Sequence, residues 1–124
     1  FDLDRGERIW QVAHGETPDT VRNSPVLRGL SIPRTGQATA IGALVTKTLL
    51  VAGDGQATTL PGQPRGAMLR AYDKASGREL GTVRLPAPQS GTPMTYALNG
   101  RQYLVVAVSG GNYSGEYIAF ALTR

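Results

Sequence analysis

The feature that most constrains the fold is a turn pattern that occurs twice, at residues 1–6 and 72–77. In each copy an aromatic residue precedes an aspartate, and a glycine follows four residues after the aspartate. The aspartate can accept backbone N–H groups within a turn, and the glycine can take a positive φ that a side chain would resist. We predict a hairpin turn at each copy, and the recurrence indicates a repeat architecture.

Short apolar runs of strand length lie between and after these turns. The 16 Gly and 8 Pro among 124 residues favour many turns and short strands over long helices. The run at residues 103–108 is apolar on both faces, as in a strand packed between two neighbouring sheets. We therefore predict an all-β fold, with strands at 43–46, 48–52, 68–72, 80–85, 92–98, 102–108 and 117–122.

Two Gly- and Pro-rich stretches, residues 14–36 and 53–66, are predicted to be long surface loops. His14 is the only histidine and is interpreted as a loop residue rather than a metal ligand. Asp54 is interpreted as a solvated loop acid, because ion and base sites are seldom built from one carboxylate. Trp10, four residues after the glycine of the first turn, is expected to pack between repeats rather than to stack on a cofactor.

Composition excludes several classes of function. The 13 Lys and Arg residues give a net charge of +4, but none is adjacent to another, which argues against a nucleic-acid groove. With no cysteine the chain has no disulfide, thiolate nucleophile or zinc-thiolate site, so redox chemistry would need a bound cofactor. No apolar stretch approaches the roughly 20 residues of a membrane helix.

The pattern aromatic-Asp-x-x-x-Gly-x-x-x-Trp at residues 1–10 resembles the tryptophan-docking motif of the β-propellers of pyrroloquinoline quinone (PQQ) dependent dehydrogenases. Residues 91–107, followed by Gly110 and Gly111, are similar to the final blade of that family, especially its membrane-bound glucose dehydrogenase-like branch. Residues 115–122 resemble the C-terminus of that branch. Two positions depart from the pattern: Gly81 replaces the second docking Trp, and Asn112 stands where a His is usual, which counts against glucose as substrate.

The resemblance implies an incomplete β-propeller, about two blades of an eight-bladed parent of which this chain is the C-terminal end. Residues 1–13 would be the last strand of one blade, 40–86 one blade with an inserted loop, and 91–124 three strands of the final blade. We expect the open sheet edges to self-associate in an isolated chain. In a closed propeller the N-terminus of the parent could supply the fourth strand.

The same resemblance implies that the parent binds PQQ and Ca²⁺, oxidises a sugar or alcohol, and passes electrons to a quinone or cytochrome. It also implies a periplasmic location, with membrane association through the parent. The catalytic base and the calcium ligands would lie in earlier blades, with none in this chain. Here Ala40, Ile41 and Gly42 are predicted to contact the cofactor, and Asn112 and Tyr113 the substrate.

Two other functions are compatible with the sequence. One is a non-catalytic propeller of the same repeat type that binds proteins as a periplasmic scaffold. The other is an unrelated all-β binding module, because fold alone does not determine function. A scaffold would lack the calcium-ligating carboxylates and a cofactor-facing base in its upstream sequence.

Overall fold

The computed structural model describes residues 1–122 and consists of strands, turns and loops arranged around two antiparallel sheets. One short helix, α1 (Asp19–Arg22), and a 3-10 turn at Pro25–Leu27 precede the strands. The first sheet contains β1 (Leu44–Val45), β2 (Leu49–Gly53), β3 (Ala67–Asp73) and β4 (Glu79–Leu85). The second contains β5 (Met94–Leu98), β6 (Arg101–Gly110) and β7 (Tyr113–Ala121). Strands follow sequence order in both sheets.

The predicted all-β class is confirmed, and each predicted strand corresponds to one strand of the structure. The largest difference is at β7, which begins at Tyr113 rather than near residue 117. Its polar start still forms the ladder with β6, where Glu116 pairs with Val108. Side-chain patterns at polar strand ends do not reveal such pairing, because the ladder uses backbone groups. Of the predicted final segment, residues 123 and 124 lie outside the described residues.

Both predicted hairpin turns have the expected geometry. In the first, the Asp2 N–H donates to the Glu7 carbonyl at 2.7 Å, and the Asp2 carboxylate accepts the Asp4 N–H at 3.0 Å. In the second, the Asp73 N–H donates to the Arg78 carbonyl at 2.8 Å, and its carboxylate accepts the N–H of the residue three positions later. The turn glycines have φ of 68° and 73°, so each turn requires the conformation that glycine adopts most readily.

Trp10 joins the N-terminal segment to the first sheet, as predicted for a docking residue. Its indole Nε1 donates to the Lys74 carbonyl at 3.0 Å. The indole also lies against Gly77, where an added Cβ would come within 2.6 Å of two ring carbons. Within residues 1–13 the ladder is a single bridge from Asp2 to Glu7. Their assignment to the last strand of another blade remains a prediction.

The hydrophobic core lies between the two sheets. Val51 of β2, Leu69 of β3 and Leu85 of β4 face Val106 and Val108 of β6. Leu85, Val106 and Val108 are 0% exposed. On the opposite face of β6 the side chains are only half-buried in this chain, so the prediction of burial on both faces holds for one face alone. This sheet-on-sheet packing is what an all-β core of alternating side chains produces, and two open sheets are consistent with a partial propeller.

The connections alternate between the two ends of the sheets, because neighbouring strands are antiparallel. One end, here called the loop end, carries the long connections at 54–66 and 86–93 and the β6–β7 turn at 111–112. The other carries the tight turns, including Asn99 and Gly100 with φ of 50° and 72°. Loops grouped at one end of stacked sheets are a common place for a binding site.

The two predicted surface loops are more buried than expected. Residues 14–36 include α1 and cover the face of β3 that points away from the core, with Gly15 and Thr17 buried. In residues 53–66, Asp54 is 0% and Thr58 3% exposed. The reason is Arg70 of β3, which binds Glu16 of the first stretch and Asp54 of the second and so holds both stretches against the sheet. No helix within the described residues is long and apolar enough to cross a membrane.

Candidate functional site

A crevice opens at the loop end and contains both residues predicted to contact a substrate. Asn112 and Tyr113 come from the β6–β7 turn and the start of β7, and Arg65 comes from the β2–β3 connection. The remaining lining comes from Ala57, Pro86, Ala87, Pro88, Gly110 and Gly111. We call this the loop crevice.

Asn112 lies in a turn that glycine makes sharp. Gly110 and Gly111 have φ of 130° and 61°, which turns the chain directly from β6 into β7. Asn112 is exposed, and its amide can both donate and accept hydrogen bonds. The Tyr113 hydroxyl donates to the Glu116 carboxylate, and this hydrogen bond raises the pKa of Tyr113. The tyrosine therefore stays neutral and keeps a defined orientation at the rim.

Arg65 is the charged side chain in the lining of the loop crevice. Its Nη1 lies 2.5 Å from the Asp19 carboxylate, which also accepts the Thr59 N–H at 2.9 Å. That backbone hydrogen bond is the main cause of the lowered pKa of Asp19. The role of Arg65 could not be predicted from sequence, because its partner Asp19 lies 46 positions away in α1. Its position at the end of a Gly- and Pro-rich loop was the available signal.

The three residues predicted to contact the cofactor lie elsewhere, immediately before β1, and none of them lines the loop crevice. Gly42 is packed against the 86–93 connection: an added Cβ would overlap the Thr92 hydroxyl oxygen. Its carbonyl accepts the Gln89 Nε2 at 2.7 Å. Ala40 is exposed and Ile41 half-buried. Ala40 and Ile41 are therefore the members of this group that a ligand could reach, whereas Gly42 has its Cα covered by Thr92 and its carbonyl bonded to Gln89.

A buried ion cluster fills the face of β3 opposite the core. The Arg70 guanidinium, 2% exposed, donates to Asp54 from Nε at 2.7 Å and from Nη2 at 3.1 Å. It also reaches Glu16 at 2.8 Å and Glu79 at 3.1 Å. Burial opposes the charge on Arg70, but the hydrogen bonds to Asp54 and Glu16 outweigh it and raise the guanidinium pKa. The cluster ties both long loops to the first sheet.

The interpretation of Asp54 as a solvated loop acid is therefore wrong. Its carboxylate is 0% exposed and forms a bidentate pair with Arg70, which a sequence cannot show because the partner lies 16 positions away on a strand. Burial disfavours ionisation of Glu79, but hydrogen bonds from Arg34 and Arg70 outweigh it and lower the pKa of Glu79. These carboxylates are committed to arginines and are not placed to act as a base.

His14 lies in a loop, as predicted, and two hydrogen bonds hold its ring there. Its Nε2 lies 3.0 Å from the Gly53 carbonyl, and its Nδ1 lies 2.9 Å from the Tyr72 hydroxyl. Because a carbonyl only accepts, Nε2 carries the proton and Nδ1 accepts from the tyrosine. Burial raises the pKa of Tyr72, which keeps this hydroxyl a donor. Within residues 1–122 no group of three or more His, Cys, Asp and Glu could hold a metal ion.

Comparison with known proteins agrees with the all-β architecture. The model of the PQQ family, described as the β-propeller domain of glucose/ethanol/alcohol dehydrogenases, matches residues 1–104. Quinoprotein glucose dehydrogenase A of Acinetobacter calcoaceticus is 32% identical over 126 residues, which cover 98% of this chain and 14% of that protein. Quinate/shikimate dehydrogenase (quinone) of Acinetobacter baylyi is 33% identical over 130 residues, 100% of this chain and 15% of that protein.

A shorter match of higher identity is to the quinoprotein glucose dehydrogenase of Escherichia coli, 48% identical over 59 residues, 44% of this chain and 7% of that protein. No solved structure matches the chain at a significant level. The chain thus spans a small part of the length of its relatives. Because the family model covers most of the chain, an unrelated all-β module is excluded. The chain belongs to the PQQ family of glucose/ethanol/alcohol dehydrogenase β-propeller domains.

Proposed function

We propose that this chain is the C-terminal propeller segment of a PQQ-dependent dehydrogenase that oxidises a CH–OH group of a sugar or alcohol. The observation that carries the proposal is the loop crevice, which presents Asn112 and Tyr113 at the loop end of a PQQ-family propeller. Clefts with a few polar groups on an otherwise apolar wall are the usual form of small-molecule sites. Pro86, Ala87 and Pro88 supply the apolar part here.

The candidate substrates for this chain are polyols. Of the three relatives described above, two carry glucose in their names and one carries quinate and shikimate, and all these compounds bear several hydroxyl groups. Asn112 suits such substrates, because one amide can accept from one hydroxyl and donate to another. The glucose dehydrogenase-like branch usually has a His where this chain has Asn112, and this difference favours a substrate other than glucose.

When bound, PQQ would accept the two electrons released as a CH–OH group becomes C=O, with Ca²⁺ polarising the quinone carbonyl. In this chain, Ala40 and Ile41 would form part of the wall beside the cofactor, and Asn112 would orient the substrate. We assign the catalytic base and the calcium ligands to other blades of the parent. Electrons would pass to a quinone or cytochrome acceptor, and the protein would lie in the periplasm, with membrane association through the parent.

The remaining blades of the parent are the proposed partners of the exposed face of the second sheet. That face carries Tyr96 stacked on Tyr103 at 5.1 Å, and Tyr117, which is 82% exposed. Large aromatic side chains of this kind are suited to burial against a neighbouring sheet. Without that neighbour, the same face and the open edges would favour self-association.

The function is tested with the full-length protein, loaded with PQQ and Ca²⁺ and compared with the apo-protein. Dye-linked oxidation is measured with glucose, quinate, shikimate and simple alcohols. We expect turnover that depends on PQQ for at least one polyol. Absence of turnover together with absence of PQQ binding would overturn the dehydrogenase proposal and favour the scaffold.

Replacing Asn112 with alanine should lower turnover or shift the substrate profile and leave the melting temperature nearly unchanged. The expected cost to kcat/KM is about tenfold, because one hydrogen bond to the substrate is lost. Asn99→Gly is the matched control: it removes the same side chain from the opposite end of the second sheet, and glycine accepts the φ of 50° found there. Equal activity of Asn112→Ala and the control on every substrate would remove Asn112 from the site.

A further inference from the structure

We propose that Arg65 binds a carboxylate of the substrate, so that the loop crevice selects a hydroxy acid over a neutral sugar. This inference rests on the proposed function and deepens it by naming the class of polyol. It starts from the position of the guanidinium, which shares the loop crevice with Asn112 and Tyr113.

Arg65 is held in a way that suits recognition of an anion. Asp19 accepts from Nη1 alone at 2.5 Å, and within residues 1–122 the Nε and Nη2 groups donate to no other residue. Asp19 is itself fixed by the Thr59 N–H, so the guanidinium is positioned before a ligand arrives. Two parallel N–H groups match the two oxygens of a carboxylate.

The charged side chain in the lining of the loop crevice is a cation, Arg65, one N–H group of which is paired with Asp19. The rest of its lining is uncharged, and the nearby Arg84 is engaged with the Gln63 side chain and the Pro64 carbonyl. Glu116 is not part of this lining, and its carboxylate accepts the hydrogen bond of the Tyr113 hydroxyl. Although Arg65 is 62% exposed here, a bound ligand would shield it from water and strengthen a charge-assisted hydrogen bond.

Replacing Arg65 with glutamine in the full-length PQQ-loaded protein should raise the KM for quinate about 10- to 100-fold, the effect of losing one or two charge-assisted hydrogen bonds. The effect on a neutral polyol should be at least tenfold smaller. Arg65→Lys should recover part of the loss, because it keeps the charge without the paired N–H groups. Calorimetric binding of quinate to the apo-protein should weaken in the same order.

Arg78→Gln is the matched control for net charge, since Arg78 lies in the β3–β4 turn at the opposite end of the sheet. An equal rise in quinate KM in this control would show long-range attraction and overturn the site. A carboxylate of PQQ is the other source of the same chemistry: if Arg65→Gln weakens PQQ binding and not quinate binding, the substrate assignment is wrong. Turnover of neutral polyols without turnover of quinate would overturn this inference while the proposed function stands.

Discussion

Replacing Arg70 with methionine should lower the free energy of unfolding by about 3–5 kcal/mol, the cost of removing one member of a buried ion pair. The variant would leave the Asp54 carboxylate fully buried with no cation beside it, and Glu16 and Glu79 would lose a shared partner. Because this cluster anchors both long loops, the loss should also loosen the loop end. Urea unfolding of the full-length protein measures the change in the free energy of unfolding, and scanning calorimetry provides a second measurement.

The double variant Arg70→Met with Asp54→Leu separates loss of the pair from loss of packing. Apolar residues of similar volume can replace a buried ion pair at little net cost, so the double variant should be more stable than Arg70→Met alone. Arg5→Met is the surface control: Arg5 lies 3.9 Å from Asp2 and is 74% exposed, and exposed pairs of this kind contribute little. Similar losses in Arg70→Met and Arg5→Met would refute the role of the cluster.

Replacing Gly77 with alanine should destabilise the fold by about 2–4 kcal/mol, through backbone strain and overpacking together. The φ of 73° is unfavourable for alanine, and the added Cβ would come within 2.6 Å of the Trp10 ring. The indole would have to move away from the turn and would lose its hydrogen bond to the Lys74 carbonyl. The unfolding midpoint of the full-length protein measures the combined effect.

Gly6 provides the control for the backbone contribution alone. Its φ of 68° is close to that of Gly77, but an added Cβ there meets no atom within 4 Å. Gly6→Ala should therefore cost only about 1–2 kcal/mol. In a double-mutant cycle, Gly77→Ala should cost less when Trp10 is already alanine. Additive losses in that cycle would mean that the indole and the turn are not energetically coupled.

The parts of the fold that could be predicted from sequence depend on local interactions. Each hairpin turn is specified by an aspartate and a glycine within six residues, and each strand by the alternation or density of apolar side chains. The docking of Trp10 was also accessible, because it belongs to the same short motif as the first turn. Asn112 and Tyr113 could be placed at a loop between two predicted strands, and the structure puts them in the loop crevice.

The parts that could not be predicted depend on residues far apart in sequence. Asp54 reads as a loop acid until Arg70, on the neighbouring strand, is known to point toward it. The fixed position of Arg65 depends on Asp19, which lies in α1 and is 46 positions away in sequence. A side chain at Gly42 would collide with Thr92 of the 86–93 connection, a contact that no local pattern encodes.

The contact beside Gly42 also limits how this protein can change over generations. The Gln89 side chain, 5% exposed, donates to the Gly42 carbonyl and accepts the Gly53 N–H at 2.5 Å. One amide of the 86–93 connection therefore serves a backbone group before β1 and another at the end of β2. Glutamate could not donate, asparagine is a methylene shorter, and an apolar residue would leave a buried N–H and carbonyl unsatisfied. We therefore expect few residues other than glutamine to be tolerated at position 89. Substitutions elsewhere in either sheet should be tolerated only if they keep the Gly42 carbonyl and the Gly53 N–H within hydrogen-bond distance of this amide.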